Sequence, residues 1–155
     1  ASNFSDFNFI GIEVHSPGVG NLLNRINEQE IKNLRIIQHD AVEVLEHMIP
    51  KSSLDGVHIF FPDPWHKKKH NKRRLIQPDF IEKIGQKIKK NGYVHISTDW
   101  EDYALCILDV FKMTSNFSLK TSEFFTKPDH RPNTKYENRG IRLGHQVWDI
   151  LFIRQ

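Results

Sequence analysis

Four short apolar runs, at residues 7–14, 34–38, 57–61 and 93–97, each carry or lead into a carboxylate at their C-terminal end: Glu13, Asp40, Asp63 and Asp99. Between them, apolar residues recur at helical spacing. Val19, Leu22, Leu23 and Ile26 follow the start signal Ser16-Pro17-Gly18, and Ala41, Val44, Leu45 and Met48 are stopped by Pro50. Phe80, Ile81, Ile84 and Ile88 stripe a third helix, whose lysine-rich end suits a negative dipole and which Asn91-Gly92 is expected to terminate. Strands alternating with helices imply a mostly parallel sheet with helices on both faces. In such a sheet the strand ends share one edge, and ligands sit beyond it. Four acids at that edge are harder to dismiss than one. Further along, Tyr103, Ala104, Ile107, Leu108 and Phe111 predict a helix, 117–121 a strand, 126–140 a polar loop and 147–153 a closing strand.

The third run is the most informative. Phe60-Phe61-Pro62-Asp63-Pro64-Trp65 passes directly into His66-Lys67-Lys68-Lys69-His70-Asn71-Lys72-Arg73-Arg74, six cations within nine residues. Neither proline can donate to a sheet ladder, so the strand must stop at Pro62 and Asp63 is held at its tip. An acid there, beside Trp65 and a cationic run, suits a polyanionic substrate that presents a polar base. A solvated basic loop after an ordinary strand is the alternative. With 155 residues the chain suits one domain, expected to span 1–155, and its net charge of +3 matters less than the clustering of its cations. No apolar run is long enough to span a membrane and no signal-peptide pattern opens the chain. With a single cysteine, Cys106, which reads as packing, a reducing cytoplasmic setting is expected. His66 and His70 lie among cations without acidic or thiolate co-ligands, so no metal site is expected.

The chain resembles the bacterial tRNA (guanine-N7)-methyltransferases along essentially its whole length. The resemblance rests on Gly11-Ile12-Glu13-Val14-His15-Ser16-Pro17-Gly18-Val19-Gly20, on His39-Asp40-Ala41-Val42-Glu43-Val44-Leu45 and on the run from Phe60 to Arg74. It continues through Thr98-Asp99-Trp100-Glu101 and Thr134-Lys135-Tyr136-Glu137 to Arg142-Leu143-Gly144-His145. It implies a Rossmann-like class I methyltransferase that moves a methyl group from S-adenosylmethionine to N7 of the variable-loop guanosine, position 46 of tRNA. The expected partner is tRNA, with no membrane and no obligate protein partner. By resemblance, Glu13 receives the ribose hydroxyls of the methyl donor and Asp40 its adenine edge, while Asp63 is the catalytic acid and also borders the donor. Lys67, Asp99, Thr134, Lys135, Tyr136 and Glu137 are expected to meet the substrate, and Lys69, His70, Asn71, Lys72, Arg73 and Arg74 the RNA. The family's first strand and glycine-rich turn belong upstream of Phe7, where only Ala1 to Asp6 stand, so the fold is expected to lack them.

Guanine N7 carries a lone pair and no proton, so its methylation needs no general base. Catalysis then rests on positioning and electrostatics. Two other functions remain open on the residues. One is an amino-group nucleic-acid methyltransferase, faintly suggested by Pro62-Asp63-Pro64-Trp65, and the other is a non-catalytic RNA-binding module.

Overall fold

The computed structural model describes residues 1–120, 124–128 and 131–155, and of Lys135 and Tyr136 it describes the backbone only. The chain forms two compact units, Ala1–Ile49 and Pro50–Gln155. In the first, strand β1 (Phe9–Ile12) pairs in parallel with β2 (Leu34–Ile37), Phe9 opposite Leu34 and Ile12 opposite Ile37. Helix α1 (Ser16–Glu28) links them, with a proline in its first turn where a missing N–H costs nothing. Helix α2 (Ala41–His47) follows β2.

The second unit holds a sheet in the order β3-β4-β6-β5, built from β3 (Leu54–Phe60), β4 (Ile88–Thr98), β5 (Phe117–Leu119) and β6 (Trp148–Arg154). β3 and β4 are parallel, joined through helix α3 (Pro78–Lys87), whereas β6 runs antiparallel to both β4 and β5. Helix α4 (Glu101–Lys112) connects β4 to β5, and α5 (Lys135–Arg142) precedes β6. No helix of the described residues is long and apolar enough to cross a membrane.

Side chains alternate across a strand, and register decides what each face of the sheet becomes. Val94 of β4 lies between Val57 and Phe152, and Ile96 between Ile59 and Ile150. That face is apolar. Phe152 stacks on Phe111 of α4 with centroids 3.6 Å apart and planes 2° from parallel, so α4 covers it. Ile81 and Ile84 of α3 and Ala104 and Ile107 of α4 are fully buried, completing the core. On the opposite face His95 lies between His58 and Leu151, and Ser97 between Phe60 and Asp149. His95, Ser97 and Asp149 are nonetheless all at most 2% exposed.

Two expectations need correction. Helix α3 ends at Lys87, not at Asn91-Gly92, because the chain turns extended at Ile88 and enters β4 there. Asn91-Gly92 instead forms a kink within β4, where the register against β3 shifts between Leu54 and Gly56. Asn91 takes φ +64°, and a Cβ on Gly92 would sit 2.8 Å from the Asp55 carbonyl, so that backbone approach requires glycine. The polar loop expected over 126–140 gives way to α5 from Lys135 onward, started by a reciprocal capping box: Glu137 N–H donates to the Thr134 hydroxyl, and Thr134 N–H to the Glu137 carboxylate. Of the strand expected at 117–121, β5 forms Phe117–Leu119, and Thr121 lies outside the described residues.

Candidate active site and nucleic-acid interface

In the first unit, Glu13 follows β1 directly and is exposed. One carboxylate oxygen accepts the backbone N–H groups of Val14 and His15 at 2.8 and 2.9 Å, which fixes the side chain at the strand end. Asp40, beyond β2, caps α2, with one oxygen accepting Val42 N–H at 2.8 Å and Glu43 N–H at 3.2 Å. Both acids of this unit are therefore oriented by the start of the next element.

In the second unit, Asp63 stands beyond the end of β3, exposed, and accepts the Trp65 N–H at 2.9 Å. The backbone on either side is strained: Phe61 takes φ +54° and Trp65 φ +44°, a region that large side chains rarely adopt. Phe61 still donates its N–H to the Ser97 carbonyl at 2.8 Å, extending the ladder to the last residue before Pro62. Strand and prolines together thus force the turn that presents Asp63. His66 packs edge-on to Trp100, with centroids 4.2 Å apart.

The cationic run is not an irregular loop. Lys68–Arg73 coil into a short 3₁₀ helix, with His70 N–H donating to the Lys67 carbonyl at 2.7 Å. Lys67, Lys68, Lys69, Lys72 and Arg73 are exposed, and His70 and Asn71 half-buried. Arg73 lies over the Trp65 ring, 5.0 Å from its centroid, joining the last exposed cation to the acid's aromatic neighbour. Arg74 departs from the expected RNA contact. It is 3% exposed, donates to the Pro64 carbonyl at 2.9 Å and to Asp102 at 2.6 Å, and lies 4.7 Å above the Tyr103 ring. A guanidinium committed to three internal partners is not displayed to a phosphate.

Beyond β4, Asp99 borders a cleft of about 590 Å³ with Trp100, Glu101, Asp102, Gly144, His145, Gln146 and Trp148. His145 Nδ1 lies 3.4 Å from its carboxylate. A Cβ on Gly140 would come within 2.8 Å of the same oxygen, so glycine lets α5 approach the acid.

Glu137 also departs from expectation, since it is 2% exposed and serves the interior. Arg131, fully buried, donates to Glu137 through two nitrogens at 2.7 and 2.9 Å and to Asp149 at 2.9 Å. His95 meets Asp149 at 2.7 Å, the Ser97 hydroxyl donates to it, and Lys127 lies 3.5 Å from Glu137. Burial alone would raise both carboxyls, but hydrogen bonds from Arg131, His95 and Ser97 and the nearby cations hold Glu137 and Asp149 below their ordinary range. This network was missed from the sequence, although three polar residues in otherwise apolar strands demand buried partners. Thr134, half-buried, is fixed by its cap, and the side chains of Lys135 and Tyr136 lie outside the described residues.

A family model described as "Putative methyltransferase" matches residues 1–150. The tRNA (guanine-N(7)-)-methyltransferase of Methylobacillus flagellatus is 56% identical over 155 residues, covering 100% of this chain and 65% of that protein. The enzyme of the same name from Chromobacterium violaceum is 57% identical over 150 residues, covering 97% and 66%. The chain thus spans just under two thirds of the length of these relatives. Among solved structures, a tRNA (m1A58) methyltransferase of Aquifex aeolicus superposes with a TM-score of 0.59 at 11% identity, over 96% of this chain and 53% of that one. A Streptococcus mutans protein described as "a putative methyltransferase", in complex with SAH, gives 0.60 at 11% identity, over 96% and 76%. At that identity the likeness carries the fold alone, and it is the class I methyltransferase fold that the alternating strands and helices imply. The relatives, matched along nearly every residue of the chain, bear out the resemblance, and the chain belongs to this methyltransferase family.

Proposed function

We propose that the protein carrying this chain is a tRNA (guanine-N7)-methyltransferase, acting on the variable-loop guanosine at position 46, with residues 1–155 serving as one methyltransferase domain. The observation that carries this reading is Asp63, an exposed acid on a strained strand tip that continues directly into an exposed cationic 3₁₀ helix. Lys67, Lys69, Lys72 and Arg73 neutralise phosphates, which supplies affinity without reading sequence. Asp63 accepts hydrogen bonds from the guanine N1–H and N2–H edge and favours the positive charge that develops on the base. Asp99 meets the substrate from the cleft beyond β4, and Thr134 from the start of α5. No residue has to remove a proton from N7, so the site needs only to orient and to stabilise charge.

The donor set at the end of β1 fits the sugar of a nucleoside methyl donor. Glu13 is exposed and orients its carboxylate with one oxygen, leaving the other to accept a ribose hydroxyl. S-adenosylmethionine would supply the electrophilic methyl group. Asp40, beyond β2 in the same unit, would meet the adenine edge.

The test uses the full-length protein, a tRNA transcript and labelled S-adenosylmethionine, followed by borohydride and aniline, which cleave RNA at 7-methylguanosine. Scission at position 46 is expected. Label recovered in an exocyclic amino group would establish the amino-group reading instead. Tight tRNA binding without label would leave an RNA-binding module.

A further inference from the structure

We propose that Arg74 is a positioning residue that anchors the Asp63 loop to α4, holding the acid in place while the cationic segment before it engages RNA. The proposal rests on the reading of Asp63 as the catalytic acid. The cationic segment begins four residues after Asp63, at Lys67, and ends at Arg74, whose side chain returns to the loop's beginning. Its Nε donates to the carbonyl of Pro64, the residue next to Asp63, at 2.9 Å. Its Nη2 donates to Asp102, in the first turn of α4, at 2.6 Å. The guanidinium carbon lies over the Tyr103 ring, 4.7 Å from its centroid, and the Tyr103 hydroxyl accepts the Ile76 N–H at 3.1 Å, so the chain is pinned to α4 on both sides of Leu75.

One fork therefore ties three parts: the residue after the acid, the end of the cationic segment and a core helix. Two directed nitrogens and a flat stacking face are what guanidinium offers and ammonium does not. Arg73, one residue earlier, has the same chemistry but is exposed over Trp65. Adjacent arginines thus divide the work, one facing solvent and one facing the loop's own base. RNA pulling on the exposed cations would otherwise act on an acid whose C-terminal side is held by its Asx turn to Trp65. A misplacement of about 1 Å at such a site can cost roughly 10²-fold in rate.

The test compares Arg74→Lys with Arg25→Lys and wild type in the full-length protein. Arg74→Lys keeps the charge, so tRNA affinity should stay within about twofold with the same salt slope. Its kcat at saturating tRNA and methyl donor should fall roughly 10- to 100-fold with KM little changed. Arg25→Lys, an exposed change in the last turn of α1, should keep kcat. Tryptic cleavage after Lys67, Lys68, Lys69 or Lys72 should accelerate in Arg74→Lys at a temperature where the protein remains folded. Should Arg74→Lys not fold, Asp102→Asn carries the same comparison with a smaller effect, because the Asp102 side chain is 68% exposed. Unchanged kcat together with unchanged cleavage would overturn the proposal. So would an Arg74→Ala protein whose only defect is a salt slope lowered by roughly 0.7–0.9, the mark of one phosphate left unneutralised. If the wild-type protein methylates no tRNA, the functional reading fails on its own, and the cleavage rates still decide whether Arg74 anchors the loop.

Discussion

Asp63 combines exposure, a fixed rotamer and strained backbone on both sides. Strain of this kind persists only where surrounding structure over-determines it, and it clusters where geometry matters. Here the β3–β4 ladder on one side and the Asp63–Trp65 turn on the other do so. We expect Asp63→Asn to leave tRNA affinity within a few fold and to lower methyl transfer by ~10²–10³. Filter binding and single-turnover transfer at saturating tRNA measure the two separately, and near-normal turnover would remove Asp63 from the mechanism. The position of this acid was legible because two prolines fix where the strand must stop. The inward turn of Arg74 was not. Composition shows a run of cations, but which member folds back depends on Pro64 and Asp102, and Asp102 lies 28 residues away.

At the scale of elements, the cationic run became a 3₁₀ helix whose side chains divide between solvent and protein. Only the outward set can release counterions from RNA. Replacing Lys69, Lys72 and Arg73 together by Ala should weaken all tRNAs about equally and lower the salt slope by roughly 0.7–0.9 for each phosphate that is no longer neutralised. Affinities at several salt concentrations check this, and an unchanged slope would mean the segment is merely solvated. α5 shows the opposite kind of legibility. Its region read as loop because it is polar and contains prolines, yet Thr134-x-x-Glu137 is a capping-box pattern that forecasts a helix start. What no pattern could supply is Glu137's second role, holding a buried arginine that lies before the helix.

Across the whole molecule, the apolar alternation that set strand and helix order also concealed a charged interior. The face of β4 that carries Val94 and Ile96 built the expected core, while the face with His95 and Ser97 gathered two carboxylates around Arg131. Glu137 and Asp149 are held below their ordinary values of 4.5 and 3.8, against burial, by the hydrogen bonds and cations facing them: Arg131, Lys127, His95 and Ser97. A carboxyl whose folded pKa is depressed contributes stability that is fully present above its unfolded pKa and is lost as pH falls toward the folded one. Stability should therefore be flat in these groups near neutral pH and decline below about pH 5. Asp149→Asn removes one of the two charges, and in exchange leaves Arg131 with a single carboxylate and His95 without its carboxylate hydrogen-bond partner. Removing one partner from a buried ion-pair network costs about 3 kcal/mol, or roughly 10 °C in melting temperature for a domain of this size. Thermal melts between pH 3 and pH 8 should show the variant lower at pH 7, with a gap that narrows as acid protonates the wild-type carboxylate. A gap of constant size across that range would mean that Asp149 stabilises the fold through packing and neutral hydrogen bonds, and that its charge is incidental.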